Sequence, residues 1–218
     1  MHIPDGFLDT KTWVSTYVLS GGALAYSIKR SKEALEEKLI PKLGIMAAFI
    51  FAAQMVNFPI AGGTSGHLLG AALATVLLGP VSSCMIISTV LVIQCLAFQD
   101  GGLTALGANI FNMAVLGVIT AYLAYFLLTK IIPGKNGRNL SIFLASWSSV
   151  VIAAFGATVE LAASNTVPFN VAFPAMIGIH MLIGIGEGLI TVAVVNFVEK
   201  VGFIEPTSEL KSGVNKNV

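Results

Sequence analysis

The chain has 218 residues, of which 56% are hydrophobic and only 11% are charged, and its mean hydropathy is +0.86. Soluble globular domains carry about a quarter charged residues, so this composition excludes them and indicates an integral membrane protein. The net charge of +1 gives no basis for nucleic-acid binding, and two cysteines in apolar stretches do not make a disulfide framework.

Seven apolar segments are predicted to cross the membrane as helices, which gives an all-α polytopic membrane protein. One span needs about 20 residues, and Pro80 interrupts the long apolar run of residues 68–98 because proline removes a helical hydrogen bond. The predicted spans are residues 13–28, 43–58, 68–79, 81–98, 105–129, 141–163 and 171–198. We expect one membrane domain over residues 1–206 and a frayed cytoplasmic tail over residues 207–218.

The distribution of positive charge predicts the orientation of these spans. Lys and Arg cluster in residues 29–42, 130–138 and 200–216. Cytoplasmic loops carry an excess of these residues, so we expect the N-terminus outside and the C-terminus inside. Loops without Lys or Arg then fall outside at residues 59–67, 99–106 and 164–170. The first of these is rich in glycine, and we expect it to dip into the membrane and to carry His67 at the start of the next helix.

The chain begins with the sequence MHIPDG, in which His2 directly follows Met1. A free α-amine, the deprotonated amide nitrogen of His2 and its imidazole can chelate one metal ion in a plane, which suits Ni(II) or Cu(II). We expect Met1 to be retained, because initiator methionine is usually removed only before a small residue. From these residues alone, a frayed terminus is the simpler interpretation.

His67 is predicted to lie on the same side of the membrane and offers a fourth nitrogen. Four nitrogens complete a square plane that favours Ni(II), with Cu(II) as a strong competitor. Binding should weaken as the pH falls, because the amide must lose a proton. Asp5 is expected either to accept a hydrogen bond from an imidazole or to cap the following helix.

Three further ionisable residues lie within predicted spans: Glu160, His180 and Glu187. Such groups are costly in a membrane and suggest function, so a proton-coupled secondary metal carrier is an alternative hypothesis. His180 and Glu187 share a helix face, and a buried pair that fixes helix packing is the simpler interpretation. The sequence contains neither a zinc-protease motif nor a nucleotide-binding P-loop, so we expect no enzymatic activity and no catalytic cofactor.

Three motifs occur in order along the chain: MHIPDGFLD at the start, FPIAGGTSGHLLGAAL around His67, and LIGIGEGLIT over residues 182–191. Together they resemble the nickel/cobalt substrate-binding (S) subunits of energy-coupling-factor (ECF) transporters, the NikM/CbiM type, over nearly the whole chain. The resemblance implies an S-component with an additional N-terminal helix whose end inserts into the protein. It also implies a metal substrate held by Met1, His2 and His67.

The resemblance further implies the substrate and the partners of the chain. The start of the chain, with Pro4 and Asp5, is similar to nickel-type members, so Ni(II) is expected, with Co(II) as the alternative. The implied partners are a transmembrane coupling protein, two ABC-type ATPase subunits that hydrolyse ATP, and a small accessory membrane subunit, all in the cell membrane of a prokaryote. Ala48 and Ala52 match the spacing of the face that docks on the coupling protein.

Overall fold

Helices form most of the computed structural model, which describes residues 1–34, 39–60 and 64–202. The α-helices are α1 (Thr10–Ala34), α2 (Ile40–Met55), α3 (Ala71–Phe98), α4 (Leu106–Ile110), α5 (Gly117–Ile131), α6 (Gly134–Ala163) and α7 (Phe169–Lys200). A π-helical segment, Phe111–Leu116, joins α4 to α5. Two short strands, β1 (Phe58–Ile60) and β2 (Thr64–Gly66), pair antiparallel with Phe58 opposite Gly66. The mostly helical structure confirms the predicted helical class, and this short hairpin is a feature that the sequence does not predict.

Within the described residues, four helical segments are long and apolar enough to cross a membrane: Ala71–Phe98, Leu106–Ile131, Gly134–Ala163 and Phe169–Lys200. The helix α2 is apolar but has only 16 residues. Large apolar side chains such as Leu127, Leu182 and Leu189 are exposed on the outside of the bundle, and extended apolar surface of this kind is typical of contact with lipid. The chain is a multi-pass membrane protein, as its composition predicts.

The long helix α3 breaks in its middle, at Gly79, whose φ of 82° and ψ of 163° are not helical. Glycine adopts positive φ readily, and the following Pro80 has no N–H to donate. The predicted interruption of the apolar run is therefore confirmed. The predicted helix start at residue 68 is wrong: α3 begins at Ala71, after Gly70 with a φ of 78°. His67 consequently lies between β2 and α3 and not at the start of a helix.

The N-terminal segment and the loops without Lys or Arg gather at one end of the bundle. Hydrogen bonds there run from the Gly102 N–H to the Ile3 carbonyl (2.9 Å), from the Thr166 hydroxyl to the Phe7 carbonyl, and from the Ser164 hydroxyl to Asp9 (3.4 Å). An ion pair between Arg138, near the start of α6, and Glu199, near the end of α7, lies at the other end of the bundle. The loops that the charge distribution placed on one side therefore lie together. The predicted tail, residues 207–218, lies outside the described residues.

Candidate metal centre

The first three residues of the chain are inserted into the protein. Met1 is 1% exposed, His2 4% and Ile3 0%. The Ile3 N–H donates to Oδ1 of Asn109 at 2.8 Å, and the Ile3 carbonyl accepts from Nδ2 of Asn109 at 3.1 Å. Buried backbone groups need hydrogen-bond partners, and this one amide supplies a partner to both groups of Ile3. The terminus is therefore held in place, and the interpretation as a frayed end is wrong.

The loop between α3 and α4 holds the residues that follow. Asp5 accepts hydrogen bonds from the N–H groups of Leu103 (3.1 Å) and Thr104 (2.7 Å) and from the Thr104 hydroxyl (2.6 Å). Among the described residues Asp5 bonds to no imidazole, and Asp9 rather than Asp5 caps α1, at 2.9 Å from the Thr12 nitrogen, so both predicted roles of Asp5 are wrong. A Cβ atom on Gly102 would lie 2.2 Å from the Asp5 backbone nitrogen, so only glycine fits there.

Ser65, in β2, contacts both backbone nitrogens that a terminal chelate would use. The Met1 amine donates to the Ser65 carbonyl oxygen and, at 3.1 Å, to its hydroxyl. The His2 N–H lies 3.2 Å from the same hydroxyl oxygen. Sequence reasoning missed this residue, because nothing in the sequence indicates that β2 lies beside the terminus.

The imidazole rings of His2 and His67 meet next to these nitrogens, with their centroids 4.6 Å apart and their planes at 56°. His2 Nδ1 lies 3.1 Å from the Asp100 carbonyl oxygen, and His67 Nδ1 lies 2.7 Å from that of Leu68. A carbonyl oxygen only accepts, so both Nδ1 atoms carry hydrogen here. The Nε2 atoms of both rings are buried and, within the described part of the chain, have no hydrogen-bond partner.

Burial keeps these nitrogen donors neutral. It lowers the pKa of the Met1 α-amine from 8.0 to about 4, against the opposing effect of the Asp100 carboxylate. Burial, helped by the charge of the amine, lowers the pKa of His2 to about 3. The pKa of His67 is well below its usual value, first because of burial and then because of the amine, His2 and His180. Neutral amines and imidazoles are the forms that bind metal ions.

The convergence of Met1, His2 and His67 becomes visible only when backbone nitrogens are counted. Among the described residues, no group of three or more His, Cys, Asp or Glu side chains could hold a metal ion. The donor set that the sequence predicts contains only two such side chains, because its other members are the α-amine and a backbone amide. The structure brings all three predicted residues to one place.

The three residues of the carrier hypothesis do not meet one another. Glu160 accepts a hydrogen bond from Asn112 at 2.6 Å. The His180 ring lies 2.7 Å from the Met176 carbonyl oxygen. Glu187 accepts from the N–H groups of Leu69 (2.5 Å) and Gly70 (2.9 Å). In the part of the chain that the structure describes, none of the three bonds to another. They therefore form no hydrogen-bonded proton relay, and the interpretation of His180 and Glu187 as a hydrogen-bonded pair is wrong.

The predicted docking residues occupy one face of α2. Ala48 and Ala52 are exposed, whereas Met46, Ile50 and Gln54 of the same helix are buried. Residues four apart share a helix face, and small residues let another helix approach closely in a membrane. This face of α2 is therefore open to a partner helix.

Similar proteins are named as metal transporters. A relative from Archaeoglobus fulgidus, a fused NikMN protein, is 44% identical over 91% of this chain, and the fused nickel transport protein NikMN of Rhodobacter capsulatus is 35% identical over 92%. The chain spans 65% and 62% of the lengths of these two relatives. A solved structure described as the crystal structure of a truncated transition metal transporter has a similar fold, with a TM-score of 0.86 over 92% of this chain and 99% of that one. The two sequences are 33% identical.

A family match covers almost the whole chain. Residues 2–203 match the CbiM family, described as the cobalt uptake substrate-specific transmembrane region. Together with the relatives, this match shows that the chain belongs to the CbiM family.

Proposed function

We propose that this chain captures Ni(II) at the outer face of the membrane as the substrate-binding subunit of an ATP-driven ECF importer, with Co(II) as an alternative substrate. The proposed donors are the Met1 amine, the amide and imidazole nitrogens of His2, and the imidazole of His67. The burial of a neutral amine and two neutral imidazoles at one point carries the proposal. Fused relatives named for nickel transport support the choice of metal.

Metal binding at this centre requires two exchanges. His2 Nδ1, the ring nitrogen that would close a chelate ring with the amide, would give up both its hydrogen and its hydrogen bond to the Asp100 carbonyl, and Nε2 of the same ring would take up the hydrogen. The His2 amide would release its proton to solvent, and the metal ion would take the place of that hydrogen, so the Ser65 hydroxyl would lose the hydrogen bond that it accepts from this N–H in the metal-free state. His67 contributes Nε2, because its Nδ1 bonds to Leu68. Four nitrogens in a plane suit Ni(II).

The proposed topology counts seven membrane segments: α1, α2, the two halves of α3, Leu106–Ile131, α6 and α7. The end that carries the metal centre faces outward, because the clusters of Lys and Arg belong to the other end. The exposed Ala48 and Ala52 face of α2 docks on the coupling protein. ATP hydrolysis takes place on two ABC-type ATPase subunits, and a small accessory membrane subunit completes the complex.

Titration calorimetry with Ni(II) on the purified full chain tests the proposed donor set. One glycine placed before Met1 moves the free amine away from His2, and His67→Ala removes the fourth nitrogen, so both variants should lose tight binding. A glycine added after Val218 is the matched control and should bind as the unmodified chain does. Unchanged affinity in the N-terminal variant would reject the terminal chelate. Uptake by this chain alone, driven by a pH gradient in proteoliposomes, would favour a secondary carrier.

A further inference from the structure

One peptide group, which joins Leu68 to Leu69, lies between the His67 ring and a buried carboxylate of α7. Its carbonyl oxygen lies 2.7 Å from His67 Nδ1. Its N–H donates to Oε2 of Glu187 at 2.5 Å, and the next N–H, that of Gly70, donates to Oε1 at 2.9 Å. Imidazole, peptide group and carboxylate therefore form one continuous chain of hydrogen bonds.

We propose that Glu187 is a positioning residue for His67, which acts through this peptide group to fix the ring nitrogen that faces the metal. The inference rests on the proposed function, in which His67 is a donor. Because the Leu68 carbonyl only accepts, the ring must present Nδ1–H to it, and the lone pair stays on Nε2. His67 Nε2 is buried and has no partner among the described residues, so it is the nitrogen available to a metal ion.

The carboxylate also strengthens the hydrogen bond at the ring. Hydrogen bonds in series polarise one another in a low-dielectric interior, so the bond from the Leu69 N–H to Glu187 makes the Leu68 carbonyl a stronger acceptor. A carboxylate that accepts from a metal-binding histidine fixes its tautomer and raises the basicity of the other ring nitrogen. Glu187 exerts the same effect on His67 with one peptide group in between.

Contacts from α2 prevent the segment from rotating away. Gln54 donates from Nε2 to the Leu69 carbonyl at 2.7 Å. Gly70 has a φ of 78°, and a Cβ atom there would lie 2.9 Å from Ile50. The Leu68–Leu69 peptide group therefore cannot turn from His67 without losing its bond to Glu187 or straining the bond of Gln54. Its orientation is set by α2 on one side and by α7 on the other.

A purely architectural role for Glu187 makes a different prediction. The carboxylate would then only satisfy two N–H groups that precede α3, as capping groups do at helix starts. Its removal would lower stability but would leave the His67 ring with the same protonated nitrogen. The tautomer of His67 in the metal-free protein therefore separates the two roles, and it does so without any metal.

The test uses the full chain in lipid nanodiscs, labelled with ¹⁵N in the histidine rings. Nuclear magnetic resonance reports which ring nitrogen carries hydrogen, and the His67 signals are assigned by their loss in His67→Ala. In the unmodified chain we expect His67 with hydrogen on Nδ1 only. In Glu187→Gln we expect a mixture of both tautomers and, by calorimetry, a nickel affinity lowered about 10- to 100-fold. Glu160→Gln, which alters a buried carboxylate that bonds to Asn112, is the matched control and should change neither.

A second variant covers the case in which Glu187→Gln does not fold. Replacing Leu69 by its α-hydroxy acid turns the peptide group into an ester, which removes the N–H that bonds to Glu187 and weakens the Leu68 carbonyl as an acceptor. It should produce the same mixture of tautomers. A folded variant of either kind with His67 unchanged in both tautomer and affinity would overturn the inference. If the unmodified chain binds no nickel, the proposed function fails, while the tautomer still decides whether Glu187 acts through the peptide.

Discussion

The side chain of Asn109 hydrogen-bonds to both backbone polar groups of Ile3, at 2.8 Å and 3.1 Å, and so fixes the position of the residue that follows His2. This contact lies in the interior, where an unpaired polar group is costly. It links the continuous helical segment Leu106–Ile131 to the inserted N-terminus.

Replacing Asn109 by Leu should weaken nickel binding without unfolding the protein. The Ile3 N–H would lose its partner, whereas the Ile3 carbonyl would keep the Gly102 N–H. A buried unpaired donor costs about 1–3 kcal/mol, and 1.4 kcal/mol corresponds to a factor of about ten in affinity. Calorimetry should therefore show an affinity lower by about tenfold or more.

The matched control for that variant is Asn139→Leu. Asn139 also pairs with an amide, that of Asn196, at the other end of the bundle. This control should bind nickel as the unmodified chain does. Equal loss in both variants would mean that the Asn109 effect is general instability and not the release of the terminus.

Gly102→Ala should displace the N-terminal segment. The added Cβ atom would lie 2.2 Å from the Asp5 nitrogen and 2.6 Å from the Pro4 carbonyl carbon, and backbone atoms cannot move aside as a flexible side chain can. Overpacking of this kind costs about 1–3 kcal/mol, which the terminus can relieve by leaving its site. Nickel affinity should fall by about tenfold, and Ile3 should lose protection from hydrogen exchange.

Gly22→Ala is the comparison for that substitution. A Cβ atom on Gly22 in α1 meets nothing within 4 Å, and alanine favours a helix more than glycine does. The nickel affinity of Gly22→Ala should equal that of the unmodified chain. Normal nickel binding in Gly102→Ala would show that the close contact with Asp5 does not position the donors.

The insertion of the terminus should depend on pH in the metal-free protein. The Met1 amine has a pKa of 8.0 when free and about 4 when inserted, so the released state binds more protons between these values. Stability of the inserted state therefore rises with pH across this window and is lost progressively as the pH falls from about 8 toward 4. His2 adds an effect of the same sign below 6.5.

Hydrogen exchange measured by mass spectrometry can follow this equilibrium. Protection of the His2 and Ile3 amides, corrected for the intrinsic pH dependence of exchange, should decrease from pH 8 to pH 5. Amides in the middle of α6 serve as the internal reference. Constant protection of the terminal amides over that range would mean that the amine does not lose its proton on insertion.

The exposed face of α2 should serve docking and not metal capture. Leucine at both Ala48 and Ala52 would prevent close approach of a partner helix, because that approach requires small residues. Copurification with the cognate coupling protein should drop sharply, while the nickel affinity of the isolated chain stays the same. Ala25→Leu, on the exposed side of α1, should affect neither. Normal complex formation by the double variant would place the docking face elsewhere.

Several features could be predicted from local sequence because they depend on local chemistry. Pro80 and Gly79 mark the break in α3, and the distribution of Lys and Arg places the loops around His67 and Asp100 at one end. The chelating ability of Met1 and His2 follows from covalent connectivity alone. These predictions need no knowledge of which helices are neighbours.

Other features depend on long-range contacts that no sequence pattern records. Ser65 contacts the N-terminus only because the β1–β2 hairpin packs against it, and Asn109 does so only because α4 packs against it. The sequence predicts that Asp5 bonds to an imidazole or caps α1, but Asp5 accepts hydrogen bonds from the loop at Leu103 and Thr104. The sequence predicts His180, on the same helix face, as the partner of Glu187. The carboxylate oxygens of Glu187 instead accept hydrogen bonds from the N–H groups of Leu69 and Gly70, which lie far away in the sequence.

The coordination state of nickel bound to the purified full chain tests the central claim most directly. Absorption spectroscopy and magnetic susceptibility of the loaded protein report it without any substitution. Four nitrogens from Met1, His2 and His67 in a plane predict a yellow, diamagnetic Ni(II) ion, since this geometry suits that metal. A green, paramagnetic, six-coordinate ion would contradict the planar centre.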